Sequence, residues 1–170
     1  MRENDEKNNL RKSYKQFEIL LKISLIIGIV IVSGFIIYYI LTPEPGYITF
    51  GILNEDRGAE DYPTEASVNE TISFYLTVGN YLNQDLTFQI QIKKGNNNTV
   101  RSSSSPSNGT LDFTRGNFTL NPNGNWISVK LNVSFSELGE HQIIIAELWQ
   151  IKSNIEEYYE QLWLQLNITN

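Results

Sequence analysis

The chain has 170 residues, with 19 acidic and 13 basic side chains, one histidine and no cysteine. The missing thiols remove disulfides, iron–sulfur clusters and cysteine zinc sites from consideration. Beyond Leu41 there are fifteen acidic and seven basic residues, a balance that argues against nucleic-acid binding by that part of the chain.

Residues 1–18 are polar and mixed in charge, and read as a short cytoplasmic tail, disordered or a frayed helix. Residues 19–42 read as a transmembrane helix. Its centre, Ile23 to Leu41, is nineteen residues without a charge, enough at about 1.5 Å per residue to cover most of the ~30 Å hydrocarbon layer. Arg2, Lys7, Arg11, Lys12, Lys15 and Lys22 precede it, and the first basic residue after it is Arg57, so the positive-inside rule places the N-terminus in the cytoplasm. The run exceeds a signal-peptide h-region and lacks an A-x-A cleavage site, which predicts a retained signal anchor with a single pass. Pro43 and Pro45 stop the helix, making residues 43–46 a short linker that holds the next domain near the membrane.

Residues 47–170 alternate like half-buried strands. Tyr47 to Leu53 is a first strand, and Thr71 to Gly79 a second with Ile72, Phe74, Leu76 and Val78 inward. Leu86 to Lys93 repeats the pattern. Residues 94–108, rich in asparagine and serine, lack apolar groups to bury and predict a long mobile loop. A short return strand containing Phe113, Phe118 and Leu120 follows, interrupted at Arg115 and Gly116. Trp126 to Phe135 is a strand with Ile127, Val129, Leu131, Val133 and Phe135 inward. Gln142 to Ile151 and Tyr158 to Thr169 complete the set, the last with Leu162, Leu164, Leu166 and Ile168 inward. About seven strands without an amphipathic helix predict an all-β extracellular domain, an immunoglobulin-like β-sandwich, with a barrel or jelly roll as the alternative.

Six N-x-[ST] sequons, at Asn69, Asn97, Asn108, Asn117, Asn132 and Asn167, all lie beyond the span, as expected for an N-glycosylated exported domain. Glu55, Asp56, Glu60, Asp61 and Glu65 crowd five carboxylates around Gly58. The EF-hand spacing is absent, so a solvated acidic loop is the better reading than a calcium site. His141 is the sole histidine, and no nucleophile, phosphate-loop or metalloprotease motif accompanies it; no cofactor is implied and the chain reads as a non-enzyme. Trp126, Trp149 and Trp163 with Tyr158 and Tyr159 offer flat faces for sugar stacking, Trp163 falling on the outward side of its strand, although core or edge packing is the commoner role.

The segment Gly58-Ala59-Glu60-Asp61-Tyr62-Pro63-Thr64, with Val68, the strand end Val78-Gly79-Asn80 and the closing Leu162-Trp163-Leu164-Gln165-Leu166-Asn167-Ile168, resembles the archaeal membrane-protein family known as domain of unknown function 1616. The resemblance spans about Tyr47 to Thr169 and implies an archaeal surface domain of sandwich type. It supplies no activity. It differs in that members often carry several membrane helices before this domain, and in Arg57, where a small or polar residue is usual.

These readings predict a protein of the cell membrane whose extracellular sandwich makes protein contacts, as an accessory subunit of a membrane or envelope complex. The alternative is a glycan- or cell-wall-binding module, and an enzyme ranks third. The residues offered for contact are Trp163, Tyr158, Tyr159, Glu60, Asp61 and Tyr62.

Overall fold

The computed structural model describes residues 2–42 and 45–170, with side chains described from Arg11 onward. Pro43 and Glu44 of the expected linker lie outside the described residues. The chain divides into two units, one ending at Pro45 and one running from Gly46 to Asn170.

The first unit is one helix, α1, Arg2–Leu41. Helix therefore extends through the segment read as a tail, where Glu, Lys, Arg, Gln and Leu are good helix formers and no proline or glycine intervenes. From Arg11 to Leu41 it is long and apolar enough to cross a membrane, and none of its apolar window is buried against protein. Glu18 and Lys22 pair one turn apart at 2.6 Å.

The second unit is built from nine strands: β1 (Ile48–Leu53), β2 (Glu65–Ser67), β3 (Ile72–Asn80), β4 (Leu86–Gly95), β5 (Thr110–Leu120), β6 (Asn125–Ile127), β7 (Leu131–Val133), β8 (Gly139–Lys152) and β9 (Ile155–Thr169). They form two sheets. In the smaller, β3 is central, flanked by β1 on one side and by β6 and β7 on the other. The larger has the order β2-β9-β8-β4-β5, antiparallel except for the parallel β2–β9 pair. One apolar core unites them: Phe74, Leu76 and Val78 of the small sheet join Phe88, Ile90, Ile92, Ile144, Leu148, Leu164 and Leu166 of the large one. This is a β-sandwich preceded by one apolar helix. Hydrophobic burial supplies its stability, since no cysteine is present to cross-link it.

The strand count is nine rather than about seven. Ser128 is one reason. Its N–H donates to the Leu76 carbonyl at 2.9 Å, and its hydroxyl oxygen accepts from the Leu76 N–H, also at 2.9 Å. A side-chain oxygen replaces a backbone carbonyl in the ladder, and the expected single strand splits into β6 and β7. Alternation breaks there as well: Ile127 and Val129 are 51% and 71% exposed, while Trp126 turns inward against Phe88 and Phe118. Leu131, Val133 and Phe135 are buried as expected. β5 is continuous, and the interruption read at Arg115 and Gly116 is a register shift against β4 between Phe88 and Ile90.

The β8–β9 connection is tight. Ser153 and Asn154 have φ of 51° and 64°, both left-handed, as a two-residue hairpin turn requires.

Candidate functional site

The outer face of the larger sheet is partly roofed by residues 96–109, which join β4 to β5. This segment is folded, not the mobile loop its composition predicts. Within it, the Asn96 N–H donates to Thr99 Oγ1, the Asn98 N–H to Asn96 Oδ1 and the Val100 N–H to Asn108 Oδ1, at 2.9, 2.9 and 2.8 Å. Asparagine, serine and threonine here replace apolar packing with local side-chain-to-backbone bonds. The segment forms a strap across β8 and β9.

Glu147 anchors the strap. Its side chain is 0% exposed, and its Oε1 accepts from the Ser107 N–H and Oγ–H, each at 2.7 Å. The Lys93 ammonium lies 3.0 Å from Oε1 and 2.9 Å from Oε2, and also donates to the Ser107 carbonyl at 3.1 Å. Trp149 Nε1–H donates to Oε2 at 3.1 Å. A buried carboxylate with a cation and three neutral donors has its desolvation offset by direct bonds. Further along, the Ser102 carbonyl accepts from Tyr158 Oη at 3.0 Å and Gln161 Nε2 at 2.7 Å. Burial, reinforced by the negative charges of Glu147 and Glu160, pushes the Tyr158 hydroxyl pKa up to about 12.

The five aromatic side chains considered for sugar stacking do not form one platform. Trp126 packs among core rings, with centroids 5.4 Å from Phe88 and 4.7 Å from Phe118. Tyr159 points inward, its hydroxyl 3.5 Å from the Ile48 carbonyl. Trp149 and Tyr158 meet edge to face at 5.7 Å beside the strap. Trp163 faces outward as expected, 47% exposed, with the Arg101 guanidinium 5.0 Å from its ring centre.

The loop after β1 is organised by Asn54, whose Oδ1 accepts from the Asp56 and Gly58 N–H groups at 3.0 and 2.7 Å. Asn54 Nδ2 donates to the Glu60 carbonyl at 2.8 Å. Glu60 and Asp61 are exposed, whereas Tyr62 is half-buried against the core and donates to the Ile52 carbonyl at 2.8 Å. Glu55 pairs with Lys130 at 2.6 Å, a hydrogen bond that raises the Lys130 pKa. Among the described residues, no three His, Asp or Glu side chains converge on a point where a metal ion could be held. His141 is engaged locally: its N–H donates to Asn167 Oδ1 at 3.0 Å, and its Nδ1 lies 2.7 Å from Gln165 Nε2.

Of the six sequon asparagines, Asn69, Asn97, Asn108, Asn117 and Asn132 are exposed. Asn167 is half-buried between β2 and β8, its amide oxygen held by His141. The strap and its Glu147 anchor escaped sequence reasoning. The available signal was a charged residue amid the apolar run of β8, Ile143 to Leu148.

No family model matches the sequence, and no curated protein matches it. Similar solved structures include the CARDB domain of the PF1109 protein of Pyrococcus furiosus in complex with di-metal ions. It is 14% identical, with 76% of this chain and 93% of that chain covered and a TM-score of 0.47. Spo0M, the sporulation control protein of Bacillus subtilis, is 9% identical, with 74% of this chain and 50% of that one covered at a TM-score of 0.47. A β-glucosidase of Listeria innocua is 12% identical over 74% of this chain, which spans only 16% of that enzyme, at a TM-score of 0.45.

Proposed function

We propose that this chain is a single-pass membrane protein, N-terminus in the cytoplasm, that displays an N-glycosylated, immunoglobulin-like sandwich outside the cell for contact with other proteins. Its role is binding or structural, as an accessory subunit of a membrane or envelope complex. Kinship to the archaeal family of domain of unknown function 1616 belongs to the same proposal. The observation that carries the reading is the exposed apolar helix α1, long enough to cross a membrane, preceding a sandwich whose fully buried carboxylate, Glu147, is bonded to the chain's own groups.

Orientation is tested with single cysteines, since the chain has none of its own. Ser104→Cys is expected to react with an impermeant maleimide on intact cells, and Ser13→Cys only after permeabilisation. The opposite pattern refutes the topology. Cross-linking followed by affinity purification from native membranes tests the contact role, which fails if the full chain is recovered alone.

A second reading, glycan binding, is favoured by the exposed Trp163 ring with Arg101 over it. It predicts glycan-array binding that Trp163→Ala abolishes, and it fails if the array is silent.

A further inference from the structure

The two sheets have four margins, and three are closed to added strands. On β1 the carbonyls of Ile48 and Ile52 face tyrosine hydroxyls, Tyr159 at 3.5 Å and Tyr62 at 2.8 Å. The other margin of the small sheet consists of β6 and β7, three residues each, too short for a long pairing. On β5 the ladder to β4 shifts register twice, and the strand carries exposed Asp112, Arg115 and the sequon residue Asn117. Bulges, charges and short strands are the usual means of blunting an edge.

The margin of β9 slips register once, at Tyr159, whose side chain turns toward the Ile48 carbonyl, and unlike those of β5 the charges on its open run are all of one sign, so a partner of opposite charge offsets them. β2 covers only Asn167 to Thr169. Among the described residues, no strand pairs with residues 155–165 on the side away from β8, and no backbone bond from a loop reaches them there. That open run is about 35 Å long at the usual strand rise. The strap reaches this region through the Tyr158 and Gln161 side chains, on the sheet face rather than along the margin. The open run carries Glu156, Glu157 and Glu160; nearby cations are Lys152, 2.7 Å from Glu157, and Arg101 over Trp163. Of the exposed sequon residues, none lies on β9.

We propose that the open margin of β9 accepts an extended, lysine- or arginine-bearing segment of a partner protein as an added strand. Main-chain hydrogen bonds would hold the segment, and alternate basic side chains would answer Glu157 and Glu160, which share a face because their partners on β8, Gln150 and Leu148, lie two residues apart. The proposal rests on the protein-contact reading above and specifies the partner's chemistry. A second copy of this chain fits less well: antiparallel β9–β9 pairing about Glu160, the middle of the open run, sets that glutamate against its own copy, and like charges opposite one another are destabilising.

The test uses the full chain in lipid nanodiscs and three capped peptides of about ten residues, a length that matches the open run. One alternates lysine with valine, the second is the same peptide methylated on every other backbone nitrogen, and the third alternates glutamate with valine. The lysine peptide is expected to bind, with at least about tenfold weaker binding for the methylated form, for the glutamate peptide and for Glu157→Lys/Glu160→Lys protein of unchanged unfolding midpoint. Equal binding of the methylated peptide would leave charge attraction alone and overturn the proposal, as would no binding or dimerisation of the free protein through β9. Because the peptide comparison uses wild-type protein, it stands even if the charge reversal does not fold.

Photo-cross-linkers at positions 156 and 114 in native membranes separate this proposal from the reading beneath it. Adducts at 156 that the lysine peptide displaces and its methylated form does not are expected. Adducts at 114 alone overturn the β9 proposal and leave the protein-contact reading standing, and adducts at neither position overturn both.

Discussion

Glu147 and Lys93 form an ion pair at 2.9 Å on the outer face of the larger sheet, buried by a polar loop and not by the core. The pair links strands β8 and β4, and through Ser107 it also fixes the strap. Removing one member of a buried pair leaves the other charge uncompensated, which costs about 3–5 kcal/mol. Glu147→Gln is therefore expected to destabilise strongly. The double variant Lys93→Met/Glu147→Gln removes both charges and should cost less than Glu147→Gln alone. Urea unfolding of the wild type, Glu147→Gln, Lys93→Met and the double variant, treated as a double-mutant cycle, measures the coupling.

Strap docking should also be visible to proteases. Arg101 is exposed but lies between two anchored positions, Val100 and Ser102. Trypsin is expected to cut after Arg101 slowly in the wild type and at least about tenfold faster in Glu147→Gln, since cleavage follows the population of the locally open strap. Equal cleavage rates in the two proteins would show that Glu147 does not hold the loop.

Tyr158 gives the sandwich a dependence on alkaline pH. Its hydroxyl holds its proton more tightly in the folded protein, up to about 12 against an ordinary value of 10.0, chiefly through burial. Its contribution to stability is thus fully present below about pH 10 and is lost as pH rises through the folded value. Thermal unfolding of wild type and Tyr158→Phe across that range should show the wild type losing its advantage. Parallel curves for the two proteins would contradict it.

Asn80 is fully buried at the end of β3 and satisfies three backbone groups with its side chain. Nδ2 donates to the Gln84 and Leu120 carbonyls, both at 2.9 Å, and Oδ1 accepts from the Leu82 N–H at 3.0 Å. Asn80→Ala strands these groups and is expected to cost about 2–4 kcal/mol, read from denaturant midpoints at constant m-value.

Glycopeptide mass spectrometry after expression in a glycosylating host should find sugar among Asn69, Asn97, Asn108, Asn117 and Asn132, and little at Asn167. The half-buried Asn167 amide is engaged by the His141 N–H, and its strand is flanked on both sides there.

The alternation of Ile72, Phe74, Leu76 and Val78, and of Leu86, Phe88, Ile90 and Ile92, was legible because each strand buries one face and pleating enforces a period of two. Ile127 and Val129 misled for a reason invisible to periodicity, since a serine hydroxyl entered the ladder. Tyr158 lies outward and Tyr159 inward, against the alternation that Leu162 and Leu164 set, because β8 and β9 slip register between Leu148 and Trp149, leaving Tyr159 as the extra residue on β9. β2, three residues held by the far end of the chain, has no local signature. The strap misled most: low apolar content was read as absence of structure, but its anchor lies forty residues away at Glu147.

β9 lies between β2 and β8 and contributes Leu164, Leu166 and Ile168 to the core. During synthesis β2 emerges about one hundred residues before the strand it must pair with. The parallel β2–β9 pair therefore cannot form until β9 has been made. Until then the unfinished sheets must stay soluble, a task suited to the asparagine- and serine-rich stretches between them.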